Sequence, residues 1–349
     1  MEKKIKVWQE IRDDLIVRII ACEFELHSKF FSLTELSCEY EVSDITSRRV
    51  IAELCEMGYI ESIPGKGSYI RSRLSEKNII LFSERIPEIN DEDTLPKVHS
   101  EIYKGMLMEC GRRHANLQVL SAEYLKRWPK DKSLLLLMPD SGVIKDREFA
   151  KVLRRSNCRK VFFHSTEAIK NEVSVRIPYS KGISLAAEHL IKRRHKRIAF
   201  LTSSLKMRSM TLRFEGYYET LKKYGIRLDF NLVRELSSPN IESDSEAVQS
   251  LLSLNDPPTA IITANNTRAL NVLEFCNSVG IKVPDRLAIV AFDNIPESML
   301  ATPKLTVVNT FWDKIGAESV RVLLEMAEDN KSEMNDVIVE PELIIRESA

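Results

Sequence analysis

The densest set of chemically useful residues lies between Val42 and Ile70, VSDITSRRVIAELCEMGYIESIPGKGSYI. Ser43 is a helix N-cap by type, its hydroxyl suited to accept a free backbone N–H of the first turn. Val50, Ile51, Leu54 and Met57 then recur at helical spacing and define one apolar face. Asp44, Ile45 and Arg48 fall off that face and are left to look outward. Gly58 supplies a left-handed C-cap. Tyr59–Ile63 and Ser68–Ile70 read as short strands joined by the turn Pro64-Gly65-Lys66-Gly67. This is the pattern of a DNA-reading helix followed by a hairpin wing. Phosphate contacts need positive charge where the nucleic-acid backbone passes, not everywhere. Residues 1–75 hold 11 basic and 13 acidic side chains, yet Pro64–Arg73 carries Lys66, Arg71 and Arg73 with no acid. Arg48 is the candidate for a base or phosphate contact, and Arg49, Thr46 and Lys66 for positioning on phosphate.

Other chemistries find little support. Gly65-Lys66-Gly67 is not a phosphate loop, because G-x-x-x-x-G-K-[ST] needs glycine where Ile60 stands and Ser or Thr where Gly67 stands. No G-x-S-x-G, H-E-x-x-H or Rossmann glycine set occurs. Six histidines show no metal spacing and six cysteines show no C-x-x-C pair, so neither metal nor cofactor is expected and the thiols read as reduced and buried. The reading is therefore not an enzyme. Lys192–Arg197 joins a helix end to a strand, where cations suit the helix dipole, and reads as a solvated loop. The chain of 349 residues exceeds one ordinary core. Its 44% hydrophobic and 29% charged residues fit a soluble globular protein, and its zero net charge argues against a wholly basic coat. No apolar run nears the ~18 residues of a membrane span. The charged start MEKKIKVWQEIRDD lacks a signal-peptide core, so a cytoplasmic location is expected.

Several elements must position these residues. Ile5–Cys22 forms a first helix with Ile5, Trp8, Ile11, Leu15, Ile19 and Ile20 inward. Ser32 caps a second, packed through Leu33, Leu36 and Tyr40. Helix, turn and helix at this spacing make a helix-turn-helix over residues 1–73. Arg71–Lys77 is polar and reads as a linker, with 74–77 separating the two domains. From Asn78 onward strands and helices alternate. Asn78–Phe82, Ala115–Leu120, Leu134–Met138, Lys160–Phe163, Arg197–Thr202, Ala260–Ala264 and Leu287–Phe292 are strands. Thr94–Arg113, Phe149–Arg155, Tyr179–Arg193, Met210–Tyr224, Ser243–Leu254, Thr267–Val279 and Lys314–Met326 are helices, and Val337–Arg346 is a terminal strand. The expected fold is α/β, a winged helix-turn-helix followed by parallel sheets with helices on both faces over 78–349.

The head resembles the winged helix-turn-helix of GntR-type repressors over roughly residues 5–71. Matches fall at Ser43, Thr46, Arg48, Arg49, Glu53, Leu54, Gly58, Ile60, Gly65, Lys66 and Gly67. The resemblance implies contacts to double-stranded operator DNA from Ser32, Thr34, Ser43, Asp44, Ile45, Thr46, Arg48, Arg49, Gly65, Lys66 and Gly67. Thr34 and Asp44 depart from it, since the family commonly carries arginine at both places. Ser47 stands where the family buries a valine. Asp44 accepts from a cytosine amino group but repels phosphate, so an unusual operator or weaker binding is expected.

The body resembles the effector domain of LacI-type repressors, itself similar to periplasmic sugar-binding proteins. The resemblance is carried by Ala186–Ile191, His195–Phe200, Arg213–Tyr217, Pro258–Ile261, Ala264-Asn265-Asn266, Val283-Pro284-Asp285, Val290–Asn294, Leu305-Thr306 and Ile345–Ser348. Joined to such a head it is similar to regulators of the arabinose repressor type. That architecture implies lobe 1 at about 78–177 and 309–335, and lobe 2 at about 178–304 and 337–349. The crossings are expected near Pro178, Lys304–Asn309 and Met334–Val337. A small-molecule effector, a sugar or derivative, should lie between the lobes at the strands' carboxyl ends. Arg213 offers it a donor fork, Asp293 an acceptor of two hydroxyls, and Asn265 and Asn266 amides that both donate and accept. Phe82, Ser83 and Trp312 form a stacking face or rim. The family usually has aspartate at Asn266. A homodimer with no membrane association is implied.

Overall fold

A computed structural model describes residues 7–20, 23–25, 27–71, 78–83, 94–121, 135–139, 159–166, 168–169, 172–237, 239–328 and 335–349. The expected helix Phe149–Arg155, most of the linker and the Met334 end of the third crossing lie outside the described residues.

The head follows its apolar pattern. Helices α1 (Val7–Ile20), α2 (Leu33–Glu39) and α3 (Asp44–Glu56) precede the hairpin strands β1 (Ile60–Ile63) and β2 (Gly67–Ile70). Ile11, Leu15, Ile16, Ile19, Phe30, Leu36, Val50, Leu54, Tyr59, Ile60 and Ile70 are buried together, each worth roughly 1.5–3 kcal/mol in water-excluded area. Ser32 starts α2 with a capping box, accepting from the Glu35 N–H while Glu35 accepts from the Ser32 N–H. Ser43 starts α3 by accepting from the Thr46 N–H. Gly58 ends it at φ 80°. That stop corrects one expectation: Met57 is not on the buried face but 50% exposed, because α3 finishes at Glu56 and Met57 is its C-cap. β1 and β2 pair antiparallel, Ile60 opposite Ile70 and Ile63 opposite Gly67.

Two six-stranded sheets follow, with β3 (Asn78–Ser83), α4 (Thr94–Arg113), β4 (Asn116–Ser121), β5 (Leu135–Pro139), β6 (Arg159–Ser165) and β7 (Val173–Arg176) first. Next come α5 (Tyr179–Lys192), β8 (Ile198–Thr202), α6 (Arg208–Lys223), β9 (Val233–Glu235), α7 (Ile241–Leu252), β10 (Ala260–Thr263), α8 (Asn266–Ser278), β11 (Ala288–Phe292) and α9 (Glu297–Leu300). The chain continues as β12 (Thr306–Asn309), α10 (Trp312–Glu328), β13 (Val337–Ile338) and β14 (Glu342–Ile344). One sheet runs β13-β7-β6-β5-β3-β4, the other β14-β12-β11-β10-β8-β9. In the second, β8, β10, β11 and β12 are parallel, with Ile261 beside Ala199 on one side and Ile289 on the other.

By contact density the chain divides into two compact units. One is Met1–Ile86, Met106–Phe162 and Ser319–Met334; the other is Pro87–Gly105, Phe163–Glu318 and Asn335–Ala349. In the second unit every residue of β8, β10 and β11 is buried, as continuous apolar runs covered on both faces must be. α7 and α8 cover them through Val248, Leu251, Ala269, Val272, Leu273 and Cys276. α5 and α6 lie so close at Gly216 that an added Cβ would sit 2.2 Å from the Ser180 carbonyl oxygen.

The expected strand Val337–Arg346 is two short strands in different sheets: β13 pairs β7 and β14 pairs β12. Pro341 separates them, and a proline has no N–H to continue a ladder. Strands β7 and β9 went unread, being four and three residues long. Among the described residues no helix is long and apolar enough to cross a membrane.

Candidate functional site

Three strands of the second unit deliver polar residues at their carboxyl ends. β10 leads into Asn265 and Asn266, β11 into Asp293, and β12 into Thr310 and Trp312. Three non-glycine residues near these ends are left-handed: His164 (φ 58°), Asp293 (φ 75°) and Phe311 (φ 52°). Each such conformation costs on the order of 1–3 kcal/mol and persists only where surrounding packing holds it.

Asp293 is the hub. Its Oδ1 accepts from Thr310 Oγ1 and Trp312 Nε1, both at 3.1 Å. Its backbone oxygen accepts from Asn266 Nδ2 at 2.7 Å, and the same amide donates to Ser298 Oγ at 2.7 Å. Burial pushes the Asp293 carboxyl above its ordinary value; Arg213 and the two hydrogen bonds pull the other way. Arg213, on α6, lies against two rings, its Cζ 4.0 Å from the Phe292 centroid and 4.8 Å from that of Tyr179. Its Nη1 donates to the Ala264 carbonyl at 2.5 Å. No ion pair joins Arg213 to Asp293 among the described residues.

Two buried polar atoms here have no hydrogen-bond partner, Arg213 Nε and Asn266 Oδ1. One donates and the other accepts. A buried polar group left unpaired costs about 1–3 kcal/mol, so their presence in one cluster is what a site for a polar ligand would leave behind.

The sequence expectations distribute unevenly. Arg213, Asn266, Asp293 and Trp312 come together. Trp312 is buried and spends its indole N–H on Asp293. Asn265 is an N-cap, its Oδ1 accepting from the Arg268 N–H at 2.9 Å. Phe82 and Ser83 end β3 opposite Leu120 and Ser121, and their side chains lie outside the described residues.

Sequence reasoning missed His164. Its ring meets Trp312 edge-on at 4.8 Å and Tyr179 at 6.2 Å. Loss of water, then the charges of His99 and Arg213, draw its pKa down to about 3, so it is neutral at physiological pH. Also missed was a buried ion pair, Arg268 on α8 with Asp244 on α7, both fully buried. Arg268 also donates to the Ser237 carbonyl at 2.7 Å and Ser203 Oγ at 3.3 Å, and Asn271 to Asp244 at 2.8 Å. An arginine inside an otherwise apolar helix face was the available signal. Among the described residues no group of three His, Cys, Asp or Glu side chains could hold a metal ion.

The candidate nucleic-acid interface lies in the other unit. Ser43, Asp44, Ile45, Arg48 and Arg49 are exposed on or beside α3, with Thr46 half-buried. Ser37 Oγ donates to Asp44 Oδ1 at 2.8 Å and lies 2.9 Å from Ser47 Oγ. The buried Ser47 thus makes a polar contact between α2 and α3. Arg49 lies 4.0 Å over the Trp8 ring, and Thr46 Oγ1 lies 3.0 Å from Ser43 Oγ. Ser32 is spent on its cap, while Thr34 is exposed. At the hairpin tip Gly65 (φ 74°) and Gly67 (φ 102°) bracket the exposed Lys66.

Residues 187–349 match the family of the periplasmic binding protein-like domain. The HTH-type transcriptional repressor PurR of Mannheimia succiniciproducens is 28% identical over 168 residues, 48% of this chain and 50% of the relative. The HTH-type transcriptional repressor CytR of Escherichia coli K12 is 32% identical over 163 residues, 47% of this chain and 48% of the relative. The chain thus spans about half the length of the curated relatives it matches. A solved complex of the transcriptional regulator CelR with cellobiose aligns over 88% of this chain and 92% of its own, with a TM-score of 0.65 and 22% identity, which speaks to fold. Arg213, Asn266, Asp293 and Trp312 therefore sit in a mixed α/β fold with parallel sheets, inside the stretch similar to a periplasmic binding protein-like domain.

Proposed function

We propose that the chain is a sequence-specific, DNA-binding transcriptional regulator, a repressor, controlled by a small-molecule effector, a sugar or sugar derivative. A GntR-type winged head (1–73), a linker (74–77) and a LacI-type two-lobed body (78–349) make up the working protein. It acts as a homodimer in the cytoplasm, where its operator is, and catalyses nothing. The observation that carries the effector half is the pair of buried, unpartnered polar atoms, Arg213 Nε and Asn266 Oδ1, beside the Asp293 hub. A ring-stacked guanidinium, a carboxylate and an amide acceptor suit a ligand rich in hydroxyls. Repressors among the relatives support the regulatory half, and the cellobiose bound by CelR supports the ligand class.

Asp44 and Thr34 motivate a second reading, a small-molecule-binding module whose head no longer reads DNA. The Ser37–Asp44 hydrogen bond weakens that motive, because it holds the carboxylate against α2.

A mobility-shift titration against DNA upstream of the gene, at several salt concentrations, separates the two. The regulator binds with an affinity that falls steeply with salt; absent or salt-insensitive binding favours the second reading. A thermal-shift screen over pentoses, hexoses and their derivatives tests the ligand class.

A further inference from the structure

We infer that Ile45 reads the C5-methyl group of a thymine in the major groove of the operator, beside the base pair that Arg48 addresses. The inference rests on the DNA-binding reading above and deepens it. Ile45 is 83% exposed on the first turn of α3, the highest value among the exposed large hydrophobic residues described. It contributes no core, since α3 is buried through Ser47, Val50 and Leu54.

Its polar neighbours are already engaged. Ser43 caps the helix. Thr46 Oγ1 lies within hydrogen-bond distance of Ser43 Oγ. Asp44 accepts from Ser37. Arg49 lies over Trp8. Ile45 and Arg48 remain, three residues apart and therefore on one face.

The first residues of a recognition helix are those that meet base edges. The one apolar group that base edges offer in the major groove is the thymine methyl. Three residues advance a helix by about 4.5 Å, and base pairs are stacked about 3.4 Å apart. The thymine therefore lies one or two steps from the base that Arg48 contacts. Charge complementarity favours this occupant, because Lys66 at the exposed wing tip supplies the cation that a phosphate backbone needs.

The test uses the full chain and duplexes enriched on it from a random pool. Each thymine of an enriched duplex is replaced singly by deoxyuridine, which deletes the methyl alone. One thymine per half-site should then weaken binding by about three- to fivefold, the worth of one buried methyl. Ile45→Ala should bind the thymine and deoxyuridine duplexes equally, with the parent's melting temperature and salt slope, because no phosphate contact is lost. Ile45→Val should keep part of the discrimination. The inference is overturned if no thymine is methyl-sensitive, or if Ile45→Ala keeps the full deoxyuridine penalty. Failure to enrich any duplex overturns the DNA-binding reading and this inference with it. Enriched duplexes without a methyl-sensitive thymine overturn this inference alone.

Discussion

Arg213 is held before any ligand arrives. Two aromatic rings pack against its guanidinium and the Ala264 carbonyl fixes one end. Arg213→Ala should weaken effector binding by about 10- to 100-fold, the range of a lost hydrogen bond to a charged group. Arg213→Lys should not restore it, because an ammonium neither stacks nor forks. Isothermal titration with a sugar found by thermal shift checks both, and unchanged affinity in Arg213→Ala removes the residue from the site. His164 sets a pH dependence. Its folded pKa of about 3 lies below the ordinary 6.5. As pH falls through that interval the unfolded chain takes up a proton that the fold refuses, so stability drops with acid. His164→Asn, a residue that tolerates positive φ, should flatten the melting temperature between about pH 6.5 and 3; an unaltered slope would assign the acid sensitivity elsewhere. Asp293 carries the opposite sign. Its raised pKa means that stability present in acid is lost as pH climbs past the ordinary 3.8. Asp293→Asn should therefore melt higher than the parent at neutral pH, with the gap closing in acid.

Between elements, two contacts decide whether these side chains stay in place. Gly216→Ala would drive a methyl into the Ser180 carbonyl and force α5 from α6, at a cost of about 1–3 kcal/mol. Denaturant melts should show it, and a neutral effect would mean that the helices can part freely. The Arg268–Asp244 pair behaves differently. Arg268→Ala alone strands a buried carboxylate and should cost about 3–5 kcal/mol, whereas replacing both partners by apolar residues should cost far less. Much at this scale was legible in the chain. Strands β8 and β10 are apolar runs closed by a threonine, β11 is apolar throughout, and α5 shows its inward stripe through Ile183, Ala187 and Leu190. The head was plainer still, since Ser43, Gly58 and Gly65 each mark a boundary by backbone chemistry. What stayed hidden depends on partners distant in sequence. His164 matters because Trp312 meets it, and nothing in either segment announces the other. Arg268 and Asp244 pair across 24 residues with no periodicity to join them. Asn265 was expected to face a ligand, yet an asparagine one residue ahead of a helix is first of all a cap.

At the level of the whole chain, the proposal requires two sites to share one free energy. If the effector changes operator affinity by some factor, the operator must change effector affinity by that same factor, typically about 5- to 150-fold. Titrating the sugar with and without a saturating operator duplex tests this, and equal affinities in the two titrations would leave the body and the head uncoupled. A homodimer further requires two half-sites ~34 Å apart or a multiple of it, which footprinting and sedimentation can check together.

The clamped arginine bears on how such a sensor can be retuned. A group packed against Tyr179 and Phe292 and tied to the Ala264 carbonyl has little freedom left to surrender on binding, and equally little with which to accommodate an unfamiliar inducer. New responsiveness should come from redecorating the segments that follow β10 and β12 while Arg213 and its two rings are left untouched. Libraries that randomise Arg213 and the rings it packs against should return few folded, inducible variants.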